Sequence, residues 1–157
     1  MLQLMNSICC IATAVSVLSV CACTYGKEEH LKLKAKNGDV QAMHDLGMAN
    51  LSTNGDGFVS NPNYRDAVFW LKAAAKQGNT TSMYFLSQIN GQPDGEQTMW
   101  LIMGADLGDP ACMIRLRDGY AHGVYGLPRD RQKSEGWQKK IQIQSESELR
   151  RQGYKIP

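Results

Sequence analysis

Ala67-Val-Phe-Trp-Leu-Lys-Ala-Ala-Ala-Lys-Gln-Gly78 is the stretch whose reading decides the fold. Its alanines, leucine and lysines favour a helix, and helical spacing sets Trp70 and Ala74 one above the other on a single face. Small residues on that face let a neighbouring helix approach closely. Gly78 supplies the left-handed residue with which many helices end. A weaker copy follows: Trp100 precedes Gly108 by the eight residues that separate Trp70 from Gly78. Gly104-Ala105 stands where Ala74-Ala75 stood.

The residues after each glycine repeat as well. Gly38, Gly78 and Gly108 are followed by Asp39, Asn79 and Asp109, side chains suited to cap a second helix. Next, at matching distances, come a small residue (Ala42, Ser82, Cys112), a methionine (Met43, Met83, Met113) and a leucine (Leu46, Leu86, Leu116). Self-similarity at periods of about 40 and about 30 residues is the signature of a helical-hairpin array. The predicted helices are Lys27–Lys36, Asp39–Leu51, Tyr64–Gln77, Thr80–Ile89, Glu96–Leu107, Pro110–Ala121 and Arg131–Arg151. The first is a charged end cap in which His30 takes the place of tryptophan. The last keeps Trp137 and Ile141 on one face and is otherwise polar, as a terminal helix with no further hairpin to cover it must be.

These residues resemble a known family. Ala42-x-x-x-Leu46-Gly47, Gly55-x-Gly57-Phe58-Val59, Ala67-x-x-Trp70 and Ala74-Ala75-x-x-Gly78 look like one full Sel-one-like repeat, a relative of the tetratricopeptide repeat. Leu116, Tyr120, Gly123, Gly126-Leu-Pro-Arg-Asp130 and Trp137 mark a further copy, and between them lies a copy with a shortened loop, Gln92-Pro-Asp-Gly-Glu96. The resemblance covers roughly residues 27 to 145. It implies an all-α right-handed solenoid of about three hairpins with polar capping helices. It also implies a protein-binding use, because curved repeat stacks present extended surfaces. The structural positions it assigns are Leu46, Trp70, Gly78, Leu86, Trp100, Gly108, Leu116 and Trp137.

Residues 1–26 carry no charged side chain, and the apolar run Ile8–Cys23 is too short for a comfortable membrane span. It reads as a secretory signal peptide. Its end, Val20-Cys-Ala-Cys23, resembles a bacterial lipobox, which implies cleavage after residue 22 and lipid on Cys23. The expected layout is therefore a lipoprotein signal peptide at 1–22, an anchored segment with a capping helix at 23–36, and the solenoid at 37–157. Thr24 after that cysteine, rather than aspartate, resembles lipoproteins sent to the outer membrane, so the expected location is the periplasm. Of five cysteines, only Cys112 then remains as a thiol, so no internal disulfide is expected. At the repeat position of Ala42 and Ser82, it reads as a packing residue rather than a nucleophile.

The chain's formal net charge of +2 conceals an asymmetry. Residues 27–109 hold 7 basic and 10 acidic side chains, whereas residues 110–157 hold 10 and 5. Without interleaved aromatics, the basic tail reads as a solvated helix, and no nucleic-acid partner is expected. Catalytic motifs are wanting: no Gly-x-Ser-x-Gly elbow, phosphate loop, Ser-x-x-Lys or His-x-x-x-His occurs. Ser52–Asn63 imitates a calcium loop but lacks its first and last carboxylates. His30, His44 and His122 read as exposed or capping. No enzyme activity, metal or cofactor is expected.

Tyrosine and arginine are the residue types enriched at binding hot spots. Tyr84, Arg115, Arg117, Tyr120 and Tyr125 are the candidate partner-binding residues. Arg117 stands out because it replaces a small residue of the repeat pattern, where Gly47 and Ser87 stand in the other copies. Small Sel-one-like lipoproteins of this plan resemble periplasmic immunity proteins paired with phospholipase-type effectors of type VI secretion. That resemblance implies a cognate toxin as partner and membrane contact only through the lipid. A scaffold or adaptor for envelope assembly is the competing expectation.

Overall fold

The computed structural model of the chain describes residues 29–51, 64–89 and 95–155. The signal-peptide, lipid-anchor and calcium-loop expectations lie outside them. Among the described residues the regular elements are helices, with no strand. They are α1 (29–36), α2 (Val40–Ala49), α3 (Tyr64–Lys76), α4 (Thr80–Leu86), α5 (Glu96–Asp106), α6 (Pro110–His122) and α7 (Arg131–Arg151). The main packing runs between consecutive helices, from α2 on α3 through to α6 on α7. That sequential stacking makes the molecule an all-α solenoid in which each repeat leans on its neighbours.

One local device sets the boundaries. At the end of α3, the Gly78 amide donates to the Ala75 carbonyl at 2.9 Å and the Asn79 amide donates to the Ala74 carbonyl at 3.1 Å. This pair of bonds closes the helix, and it requires Gly78 to sit at φ +89°. Asn79 then turns its side chain onto the Ser82 amide at 2.7 Å, so the residue that ends one helix starts the next. Asp39 and Asp109 do the same with the Ala42 and Cys112 amides. Because all these groups lie within a few residues, the sequence pattern identifies the boundaries closely. The largest difference is α4, which ends at Leu86 rather than Ile89. The same closing bonds recur at Gly153, where Tyr154 follows α7.

Three buried clusters run along the stack. The first joins α1, α2 and α3 through Ala35, Ala42, Leu46 and Ala74. The second unites Leu71, Ala75, Met83, Leu86, Ile89 and Trp100. In the third, Leu101, Ala105, Cys112, Leu116 and Leu127 pack together, with Trp137 and Ile141 against them. The small-residue positions perform the close approach. A Cβ on Gly104 would fall 2.6 Å from the Cys112 sulfur, and one on Gly47 would fall 2.6 Å from Leu71. Cys112 is fully buried, and burial together with the Asp109 charge pushes its thiol up to about 12.

The tryptophans are not equivalent. Trp100 is 4% exposed, covered by the preceding hairpin, whereas Trp70 is only partly buried. Trp70 packs at the edge of the cluster that includes Ala35, Ala42, Met43 and Leu46 of α1 and α2, and its ring neighbour Phe69 is itself exposed. On α7 no residue is fully buried, and Trp137 lies half covered under Lys140, whose ammonium sits 3.9 Å from the ring centroid.

Candidate protein-binding site

The first helices of the hairpins, α2, α4 and α6, carry a continuous row of rings and one cation. His44 on α2 lies 6.1 Å from the ring of Phe85 on α4. Phe85 meets Tyr84 edge-on at 5.9 Å. The Arg115 guanidinium on α6 lies 5.5 Å over Tyr84 and 4.8 Å over Tyr125. The row crosses three repeats because Tyr84-Phe85 and Ile114-Arg115 hold equivalent places in successive first helices.

The far end of the row is built by a strained turn. α6 ends at Gly123, and the chain folds back through Val124-Tyr-Gly-Leu127, closed by the Leu127 amide on the Val124 carbonyl at 3.2 Å. Tyr125 and Gly126 both have positive φ, 59° and 72°, as a type I′ turn requires. For glycine this costs little. For a residue with a side chain, the left-handed region costs roughly 1–2 kcal/mol. Thr98 on α5 holds the turn by donating its hydroxyl to the Tyr125 carbonyl at 2.8 Å. Gly119 makes room beneath, since a Cβ there would strike Leu127 at 2.6 Å. Tyr125 is thereby held over Arg115 while remaining 45% exposed.

Arg115 is the chemically unusual member. Its Nη1 is buried without a hydrogen-bond partner, the one such side-chain atom found among the described residues. A buried donor left unpaired costs about 1–3 kcal/mol. The two ring faces offset part of this, at about 0.5–2 kcal/mol for a cation over an aromatic. No carboxylate among the described residues pairs with Arg115.

Two other candidates are placed differently. Arg117 is already engaged: it pairs with Asp118 at 2.7 Å and donates to Gln138 of α7 at 3.0 Å. Its size serves the α6–α7 contact, which explains why a small residue is not needed there. Tyr120 packs into the third cluster, with the Lys133 ammonium 5.1 Å from its ring centroid. Tyr84, Arg115 and Tyr125 thus come together, and Arg117 and Tyr120 face α7. His44 and Phe85 extend the row; Phe85 is one of the hairpin aromatics that the sequence offers as anchors, whereas His44 is not a binding candidate there. Their positions, six and seven residues beyond Gly38 and Gly78, could have revealed them as equivalents of Tyr84 and Arg115.

His44 also contacts Ser82, with Nδ1 2.9 Å from the hydroxyl. The pair superficially suggests a nucleophile and base. Ser82, however, is fully buried at the small-residue position of its repeat, where no substrate can reach it. The histidine satisfies a buried hydroxyl across the repeat boundary, so it is neither fully exposed nor capping. His122 lies on the last turn of α6, with Nδ1 at 3.0 Å from the Asp118 carbonyl. No group of three or more His, Cys, Asp or Glu that could hold a metal occurs among the described residues. Nor is any helix there long and apolar enough to cross a membrane.

Comparison with known proteins agrees with this architecture. The Sel1 repeat family matches residues 40–79 and 114–140, the α2–α3 hairpin and the α6–α7 junction. The intervening hairpin is the copy with the shortened loop. The crystal structure of a Sel1 repeat protein from Oxalobacter formigenes is similar over 72% of this chain and 33% of that one, with 24% identity and a TM-score of 0.57. The chain thus spans about a third of that protein's length, and the likeness speaks to the fold alone. No curated protein matches the chain. The fold and the two matched segments together define an all-α solenoid built of repeats similar to Sel1 repeats.

Proposed function

We propose that the protein docks a protein partner on the row His44–Phe85–Tyr84–Arg115–Tyr125. We further propose that this partner is an antibacterial, phospholipase-type effector of type VI secretion, which the protein neutralises in the periplasm from a lipid anchor on Cys23. The observation that carries the docking site is Arg115, a cation with a buried unpartnered nitrogen beside a tyrosine held at positive φ. Conformational strain and unpaired donors tend to persist where function retains them. Tyrosine and arginine in a partly desolvated cluster are also the commonest anchors of protein interfaces.

The effector reading rests on the resemblance of Val20–Cys23 to a lipobox and of the short repeat stack to lipid-anchored immunity proteins. An anchored inhibitor would stand where a phospholipase meets its substrate. The test is neutralisation. Cells expressing the protein should survive periplasmic delivery of the effector encoded beside it, and Tyr84→Ala with Phe85→Ala should abolish that survival. Cells as sensitive as controls to every periplasm-directed toxin of the same strain would sink the effector reading.

A second reading, an envelope scaffold, draws on a separate observation. The outer side of α5 exposes Met99, Ile102, Met103 and Leu107, although its inner side is buried. A scaffold could hold one partner there and another on the first-helix row. Unbiased cross-linking that captured two partners at once, neither of them a toxin, would favour it.

A further inference from the structure

We infer that the first-helix face recognises an acidic segment of its partner, with one carboxylate seated on the Arg115 guanidinium between Tyr84 and Tyr125. This rests on the reading of that face as a docking site and adds the chemistry of what docks. Guanidinium presents five N–H donors in a plane, and none of those on Arg115 is hydrogen-bonded among the described residues. Carboxylate is the protein group that matches this fork, taking two parallel hydrogen bonds. Among the described residues, the two carboxylates on or beside α6 are engaged elsewhere: Asp118, about one turn further along α6, pairs with Arg117, and Asp109 caps α6.

The surroundings fit the same occupant. Charge runs 10 basic to 5 acidic in residues 110–157 against 7 to 10 in residues 27–109, so an acidic segment is drawn to the α6 end of the row, where Arg115 lies. The rings of Tyr84, Phe85 and Tyr125 supply apolar flanks that lower the local dielectric, where a charge-assisted bond gains strength. Tyr125 is the most exposed ring of the cluster, and turning its side chain on the Tyr125-Gly126 turn opens the guanidinium edge. Phosphate-bearing ligands would share the charge but not the need for flanking side chains, and inorganic phosphate serves as the control for them.

The experiment is a side-chain NMR titration of the chain, following the arginine Nε–H signals and the tyrosine rings. The probe is a capped hexapeptide alternating glutamate and alanine, with its glutamine counterpart as the neutral control. The glutamate peptide should shift Arg115, Tyr84 and Tyr125 together, and the glutamine peptide should leave them unmoved. Arg115→Gln should abolish the response. Arg115→Lys, which keeps the charge but not the fork, should weaken binding by about tenfold, one charge-assisted hydrogen bond's worth. Helical signal and urea midpoint establish that each variant is folded. Shifts concentrated on Lys139, Lys140 and Arg150, equal shifts from the glutamine peptide, or shifts as large from inorganic phosphate would each overturn the carboxylate site.

The docking reading fails separately. If the effector binds undiminished to both Arg115→Gln and the Tyr84→Ala, Phe85→Ala double variant, the face itself is wrong. If only Arg115→Gln is without effect, the face stands and the carboxylate does not.

Discussion

The same substitution, glycine to alanine, should change stability in opposite directions at two helical sites. Gly104 and Gly136 both lie within helices, α5 and α7. Alanine is favoured over glycine there by about 0.8–1.0 kcal/mol, because it loses less backbone freedom on folding. At Gly136 an added Cβ meets nothing within 4 Å, so the full gain of about 1 kcal/mol should appear. At Gly104 it would fall 2.6 Å from the Cys112 sulfur, 3.3 Å from the Cys112 Cβ and 3.4 Å from the Met83 Cβ. Cys112 and Met83 are both buried and cannot swing aside into solvent. Overpacking a close-packed core by one methyl costs about 1–3 kcal/mol, so after the helix gain the net effect should be a loss of up to about 2 kcal/mol. Urea unfolding followed by the helical circular dichroism signal reads both changes. The decisive control is Cys112→Ala, which removes the sulfur. In that background Gly104→Ala should cost less, giving a coupling of at least about 0.5 kcal/mol. A stabilising Gly104→Ala, or two additive substitutions, would refute the close approach of α5 to α6.

The tryptophans and the thiol supply three further tests. Trp100→Ala should cost about 3–5 kcal/mol, the range for removing a large buried aromatic, and Trp70→Ala should cost about half as much because it is only partly buried. Equal losses in thermal unfolding would mean that the first hairpin is covered as fully as the second. Cys112 should resist iodoacetamide at pH 8 in the folded protein and react once urea unfolds it, as burial and the Asp109 charge hold the thiol neutral. Its pKa is raised on folding from the 9.0 of a free thiol to about 12, so its contribution is fully present below pH 9. As pH rises from about 9 towards about 12, the unfolded chain loses the proton first and stability should fall. Stability measured against pH should show this decline disappear in Cys112→Ala. A decline of unchanged size would assign it elsewhere.

The docking row gives the repeat geometry a functional consequence. Tyr84, Phe85 and Arg115 are displayed side by side because successive first helices stack in register, and each repeat contributes only one or two residues. Altering the register anywhere in the middle of the stack would separate the rings without touching them. The buried Ser82–His44 contact helps to hold that register, since it crosses from one first helix to the next at 2.9 Å.

The helices, their ends and the stacking order were legible in the sequence. Glycine at C′ and an Asp or Asn immediately after it act through bonds spanning only a few residues, so spacing alone carries the information. The buried leucines at 46, 86 and 116 follow from the same local count. The binding row depended on tertiary structure. Nothing near Arg117 in sequence shows that Gln138, on the next helix, would occupy its guanidinium. Nothing beside Arg115 shows that it would lie between Tyr84 of the preceding repeat and a tyrosine held back against α5 by Thr98. Likewise Trp70 and Trp100 hold the same place eight residues before a glycine and differ in burial because different residues pack against them. Local backbone chemistry determines each helix; which side chains are paired, and which are left without a partner, is determined only when the helices stack.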